Sequence, residues 1–392
     1  MRIFPLHKKK DELILVLDIH SASVGGALFF AGGSQIPRIV ASLREFIPVE
    51  ENVTPERIFT LLLSTLKSVL DKISNKKVGT PSRIFCVFGA PWHVSQTRII
   101  KLSKDTPFVF TEKLADELTQ KEIALVEAEY REKYKEMSGT LRPIELKNVK
   151  TKLNGYETER PVGKTAMELE MNMFISISSE KMCTTVEEIV ERHFPVKTIK
   201  FSSFTMASFA ALRDMYHERE NFLLIHISGE ITDITMVKKG SLREATSYPL
   251  GINTILRGIA SQMHITSAEA RSIMSLHRDG HAGESITQSI EPVLLNLKKE
   301  WLKKFQEALA NLSNDISIPS LLYLTTNQDA IEFFTEIIKG EQFNQYTLSE
   351  AKFEIIPCNV DTLHSGVTFT GDSAIFDAYL ALDSIYINRF FN

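Results

Sequence analysis

Two short stretches of this chain hold residue types that could do chemistry. Asp18 ends the apolar run at 13–17 and is followed by His20, Ser21 and Ala22. His226 ends a second apolar run, at 222–225, and is followed by Ser228-Gly229-Glu230 and then Thr232-Asp233. A glycine and hydroxyl residues at a strand turn bring backbone N–H groups and hydroxyls within reach of one anion, which makes a phosphate cradle. A Ser-Gly turn by itself is weak evidence for one. Glu230, at the same tip, would repel a phosphate if it pointed inward.

A pair of hairpins would position these residues. Residues 222–237 read as an apolar strand, a turn and a second β-rich strand, closed by Lys238-Lys239-Gly240-Ser241. Residues 13–30 repeat that pattern. Laid over each other, Asp18 falls on His226, Ile19 on Ile227, His20 on Ser228, Ser21 on Gly229 and Ala27 on Thr235. Two similar hairpins far apart in one chain imply two half-molecules facing each other. A ligand would then sit between them, as is common for small-molecule sites.

The 392 residues leave room for about two to three domains. Hydrophobic residues make up 43% and charged residues 24%, an ordinary globular balance. The net charge of −4 gives no basis for nucleic-acid binding. Cys86, Cys183 and Cys358 are far apart, lack metal-ligand spacing and read as buried reduced thiols. No apolar run approaches the ~20 residues of a membrane span. The N-terminus lacks a signal-peptide pattern. Its Phe4, Leu6 and Lys8 to Lys10 read as a solvated tail before an anionic membrane contact.

Along the chain, 38–46 continues the first sheet after a turn at Gly32-Gly33. Thr54-Pro55-Glu56 opens a helix with a cap, a first-position proline and an acidic first turn. Residues 83–88 form a buried strand that ends at Gly89-Ala90-Pro91-Trp92, where α/β folds place ligands. A charged helix at 114–137 follows, then strand patterns at 144–153 and 167–178. Met167, Leu169, Met171, Met173, Ile175 and Ile177 make one alternating face of the latter. Lys164 follows a glycine, but no P-loop pattern surrounds it. Helices are expected at 206–215, 254–263, from Thr266 on, and at 287–312, and strands at 319–325 and 350–357. A last helix at 373–386, apolar almost all round, reads as buried.

In these residues the chain resembles the actin-like ATPase superfamily, and within it the FtsA and PilM branch. The first phosphate hairpin of that family has Asp, Gly, then Ser or Thr, and here it reads Asp18-Ile19-His20-Ser21. The second reads Asp-x-Gly-Gly-Gly-Thr-Thr-Asp in the family and His226-Ile227-Ser228-Gly229-Glu230-Ile231-Thr232-Asp233 here. Gly229 and Thr232-Asp233 are retained. Pro249-Leu250-Gly251 is similar to the segment after the second hairpin. Arg160-Pro161-Val162-Gly163 is similar to the Asn-Pro-Ile-Gly of FtsA. The resemblance implies an α/β, actin-like (ribonuclease H-like) two-half fold: duplicated β-hairpin/α units around a nucleotide cleft, plus an inserted α+β subdomain. It places the first half at 1–105 and 199–221, with the last helix, 372–392, packed back on it. The interaction subdomain falls at 106–198 and the second half at 222–371.

The resemblance also implies ATP and Mg, with Asp18 as the metal-side carboxylate and Asp233 as the other remaining acid. The ribose positions fall on Arg271 and Met274, or on Glu269 with a slip of two. Thr325-Thr326-Asn327 stand where the family's Gly-Gly pair admits adenine, so side chains would crowd the base. Imidazole is a poor magnesium ligand, so His226 cannot replace the family's aspartate. A protonated His226 would face a phosphate directly, whereas a neutral one would be a hydrogen-bonded strand-end residue. His226, Glu230, Met274 and Thr325-Thr326 all weaken the cleft for ATP, toward a pseudo-ATPase. The implied role is a cytoplasmic scaffold at the inner face of the cell membrane, self-associating and attached indirectly. Its partner would be an inner-membrane assembly protein's tail, in type IV pilus assembly, or a division protein, with Pro161, Val162 and Gly163 at the contact. The alternative is an ATP-dependent phosphotransferase on the same fold.

Overall fold

The apolar run before Asp18 becomes β1 (Glu12–Ile19), buried from Ile14 onward, because a strand covered on both faces needs no polar alternation. The structure, a computed structural model, describes residues 11–32, 36–51, 54–133, 139–312, 317–340 and 352–391. Phe4, Leu6, Lys8 to Lys10, Gly33, the expected helix end at Met137 and the expected strand start at Glu350 lie outside them. β1 pairs antiparallel with β2 (Ser23–Ala31), and β2 pairs antiparallel with β3 (Arg38–Phe46). α1 (Pro55–Ser74) starts where its cap predicts, with Thr54 Oγ1 accepting from the amide of Arg57, and buries Leu62, Leu66, Val69 and Leu70. β4 (Arg83–Phe88) then runs parallel to β1.

Next come β5 (His93–Val109), α2 (Glu112–Lys133), β6 (Leu141–Leu153), β7 (Tyr156–Glu157) and β8 (Thr165–Ser179). They form a four-stranded sheet in the order β5-β8-β6-β7, so this sheet takes in residues from His93, ahead of position 106. Leu114, Leu118 and Val126 of α2 cover Leu169, Met171, Met173, Ile175 and Ile177, while Met167 at the strand's outer end is exposed. α3 (Glu180–His193) leaves that sheet and packs beside α1, with Met182, Cys183 and Val186 against the core of Leu62 and Leu66. β9 (Ile199–Ser203) joins β4 in parallel, and α4 (Phe204–Met215) follows.

The second half repeats the first. β10 (Phe222–Ile227), β11 (Thr232–Lys238) and β12 (Ser241–Tyr248) form an antiparallel meander. α5 (Ile252–Met263), α6 (Ser267–Arg278) and α7 (Glu284–Leu312) lead to β13 (Leu321–Thr326), parallel to β10. α8 (Ile331–Lys339), β14 (Glu354–Pro357), α9 (Val360–Leu363), β15 (Thr368–Phe369) and α10 (Ala378–Asn388) complete the chain. The sheets run β15-β3-β2-β1-β4-β9 and β12-β11-β10-β13-β14, the same meander-plus-parallel-strand order in each.

These elements stack in layers. α1 and α3 cover the outside of the first sheet, and α5, α7 and α8 the outside of the second. α4 and α10 lie between the sheets, where Phe209, Leu212, Leu380 and Ile387 meet Val16 and Phe29 on one side and Phe222 and Tyr323 on the other. This placement explains why α10 is buried from Tyr379 to Asn388. The helix begins at Ala378, later than the expected 373, because Asp377 caps it: its Oδ1 accepts from the amide of Leu380. Ile375, expected inside the helix, lies before it and is 71% exposed.

Candidate functional site

The two tips superpose in register as the sequence overlay predicts. Ile19 pairs with Val24 and Ile227 with Thr232, so four residues turn each hairpin. The amide of His20 donates to Ser23 O at 3.0 Å, and that of Ser228 to Ile231 O at 2.9 Å. The tips also touch each other. Ser21 Oγ lies 3.0 Å from Ser228 Oγ, and the amide of Glu230 donates to Ser21 Oγ at 3.1 Å. A Cβ on Gly229 would stand 2.9 Å from the Cα of Ala22, so only glycine permits the approach. Gly251 is equally confined, its added Cβ falling 2.4 Å from the carbonyl oxygens of both Ser228 and Gly229. The first two amides of α5, Ile252 and Asn253, donate to those same two carbonyls.

Asp18 is fully buried, with both oxygens engaged. Oδ1 takes the Nε2 of His20 at 2.6 Å and Oδ2 a guanidinium nitrogen of Arg44 at 2.5 Å. Arg44 also donates to both oxygens of Asp377 and to Ser23 Oγ. Burial alone would raise the Asp18 carboxyl, but His20 and Arg44 outweigh it and hold it at about 2. Asp383 of α10 lies beside Asp18. Burial first, then the charge of Asp18, push its carboxyl well above the usual range.

Imidazole and aromatic rings occupy the space behind the tips. The rings of His20 and His226 meet edge to face at 4.6 Å between centroids. Phe204 of α4 and Tyr379 of α10 pack against both histidines at 4.7 to 5.4 Å. The guanidinium of Arg44 lies over the ring of Tyr379 at 4.6 Å. An added Cβ on Gly89, in the loop after β4, would stand 1.9 Å from His20 Nδ1, which therefore lies against that backbone. His226 Nδ1 is 3.6 Å from Asp233, an ion-pair distance rather than a hydrogen bond, and its Nε2 is buried without a partner. Burial pushes the His226 imidazole down, more than Asp233 raises it. His93 joins the group, lowered to about 4 by burial.

The remaining expected residues are tied to the protein itself. Both carboxylate oxygens of Glu230 face Arg257, at 2.6 and 3.0 Å, and Asn253 donates to one of them, so the acid points to the start of α5 and away from the first hairpin. Thr232 Oγ1 donates to Leu250 O and accepts from Trp301 Nε1. Arg271 reaches across the halves, its guanidinium 4.8 Å from the Phe46 ring and 3.9 Å from Asp329. Met274 is buried in the second core. Glu269 closes a capping box on Thr266. Thr325 and Thr326 are buried within β13, and Thr326 Oγ1 donates to Ile227 O at 2.9 Å. Pro161, Val162 and Gly163 are on the turn between β7 and β8. Gly163 there has φ +83°, its amide bonds Phe110 O, and Val162 is 54% exposed.

Asp18 is not free to organise a metal for ATP in the arrangement these residues adopt. The amides of His20, Ser228, Glu230, Ile252 and Asn253 already donate to protein acceptors. Arg44 supplies to Asp18 the positive charge that a metal would. Among the described residues no group of three His, Cys, Asp or Glu side chains could hold a metal ion. Arg44, Asp377, Tyr379 and Asp383 escaped the sequence reading, although one signal was present. Gly25-Gly26 inside a strand marks a close approach, and an added Cβ on Gly25 would lie 2.7 Å from the Arg44 guanidinium.

No family model matches the sequence, and no curated protein matches it. Solved structures do. PilM of a PilM–PilN type IV pilus biogenesis complex is 12% identical, with a TM-score of 0.57 over 96% of this chain and 96% of that one. The ethanolamine utilization protein EutJ from Carboxydothermus hydrogenoformans is 12% identical, with a TM-score of 0.44 over 98% of this chain and 92% of that one. A protein of unknown function with an actin-like ATPase fold from Bacteroides thetaiotaomicron is 10% identical, with a TM-score of 0.37 over 98% and 99%. The first likeness and the duplicated sheets together give the chain the actin-like fold, with PilM-like similarity along its length.

Proposed function

We propose that this protein is an actin-like scaffold of the FtsA and PilM kind, assembling a membrane-associated machine through protein contacts rather than by phosphoryl transfer. The observation that carries this reading is the commitment of Asp18. A carboxylate shared between Arg44 and His20, under hairpin tips that touch, is not available to organise a metal and a phosphate. The weakened cleft leaves ATP no catalytic part in the reading. Surfaces would then do the work, including the exposed turn at Pro161-Val162-Gly163 and the capacity for self-association.

The fold likeness to PilM, a protein solved in complex with PilN, supports the pilus arm of the proposal over the cell-division arm. The reading puts the protein at the cytoplasmic face through its partner; among the described residues no helix is long and apolar enough to cross a membrane. Fluorescence anisotropy tests it with two labelled probes: the cytoplasmic tail of the inner-membrane pilus assembly protein, and the tubulin-like division protein. Saturable binding of the tail is expected. Binding of the division protein instead moves the scaffold to division, and ATP-dependent phosphorylation of a small molecule in place of either overturns it.

A further inference from the structure

We propose that the joint between the two halves is an internal plug: side chains of this chain fill the space that nucleotide and metal would take in the fold, and hold the halves closed without a ligand. The proposal goes beyond the scaffold reading and does not depend on which partner is bound.

The plug is built from both halves and from the layer between them. His20 comes from the first tip, His226 from the end of β10, Phe204 from α4 and Tyr379 from α10, with ring centroids between 4.6 and 5.4 Å apart. His20 is 2% exposed and His226 8%. Most polar groups that line the plug find partners within the chain, although His20 Nδ1 and His226 Nε2 are buried without one. Asp18 takes His20 and Arg44, Arg44 takes Asp377 and the face of Tyr379, Gly89 backs His20, and Asp233 stands by His226. The tips are joined by Ser21 with Ser228 and by the Glu230 amide on Ser21, and the mouth by Arg271 over Phe46. Parting the halves would break both bonds of Ser21 to the second tip and separate the His20 and His226 rings, whereas the pairs of Asp18 and Arg44 lie within the first half. In a fold whose halves are bridged by a ligand, closure responds to that ligand. Here the bridge is covalently part of the chain, so closure would not respond.

The test is a cross-link between the tips, with cysteines placed by Ser21→Cys and Ser228→Cys. The native cysteines are all buried, and burial pushes each of their thiols up, which keeps them out of mild oxidation. The expected result is prompt disulfide formation at a rate unchanged by millimolar ATP with Mg. In a His20→Ala/Tyr379→Ala background, checked for folding by circular dichroism, the rate should fall about tenfold as the tips part. A rate suppressed saturably by ATP with Mg would show that nucleotide enters, and would overturn the proposal. Failure of the tips to cross-link without nucleotide would also overturn it, because the resting halves would then be apart. Thermal unfolding of the natural chain with and without ATP and Mg gives a second readout with no engineered cysteine, in which no shift is expected.

Discussion

Arg44 is the residue with most to lose on substitution. It lies under β2 against Gly25, and two acids converge on it, Asp18 and Asp377. Replacement by methionine would keep the volume and leave buried Asp18 with His20 but without its guanidinium. The expected cost is about 3–5 kcal/mol, read as a fall in the denaturant midpoint at neutral pH. Buried histidines at and beside the plug give a second prediction. His93 is buried neutral, its folded value about 4 against an ordinary 6.5, and His226 is lowered by the same cause. Below pH 6.5 the unfolded chain binds protons that these folded imidazoles refuse, so stability falls as pH drops toward 4. For His93 alone the loss is on the order of 3 kcal/mol. A His93→Phe variant should flatten that part of the curve, measured by urea unfolding at several pH values. Asp18 acts further down: its stabilisation is present above the ordinary 3.8 and is lost as pH falls toward about 2.

At the scale of elements, the second hairpin and α5 are fitted to each other through Gly251. An added methyl there would fall 2.4 Å from two backbone carbonyls, which cannot swing aside as a side chain can. Gly251→Ala should therefore lower the melting temperature markedly and loosen the tip, seen as faster amide exchange at Ile252 and Asn253, whose amides bond Ser228 and Gly229. The link between α10 and β3 predicts a graded series. Asp377→Asn keeps a cap oxygen for Leu380 and weakens only the pairing to Arg44, whereas Asp377→Ala loses both. The alanine variant should be less stable by about 1 kcal/mol more than the asparagine, the ordinary worth of an N-cap, as measured by chemical denaturation. Element edges were less legible in the sequence than element identities. β3 and β4 fall where the pattern puts them, while α10 starts late because its apolar residues begin before its cap.

At the scale of the whole molecule, the inserted sheet meets the body through a buried polar contact. Glu145 of β6 is 6% exposed; it accepts from the Ser203 amide and hydroxyl and from Tyr386 of α10. Glu145→Leu would orphan those donors, and should make the insertion a separate, earlier unfolding unit in calorimetry. What the sequence by itself determined is the duplication, with its register. Two apolar runs with matching turns can bury both faces only as central strands, and the 208-residue spacing from Asp18 to His226 recurs from Ile19 to Ile227 and from Gly25 to Asp233 in the paired strands. It also determined the types at the tips, including the histidine and the glutamate that depart from the family pattern. Which way those side chains face was decided only in the tertiary structure. Glu230 turns to Arg257 rather than inward, and Asp18 meets Arg44 and Asp383 from segments 26 and 365 residues away in sequence. The physical reason is that local pattern reports burial and backbone state, whereas a charge's partner is set by which distant element packs beside it. The closing of the cleft rests on such partners, and no periodicity in the chain encodes them.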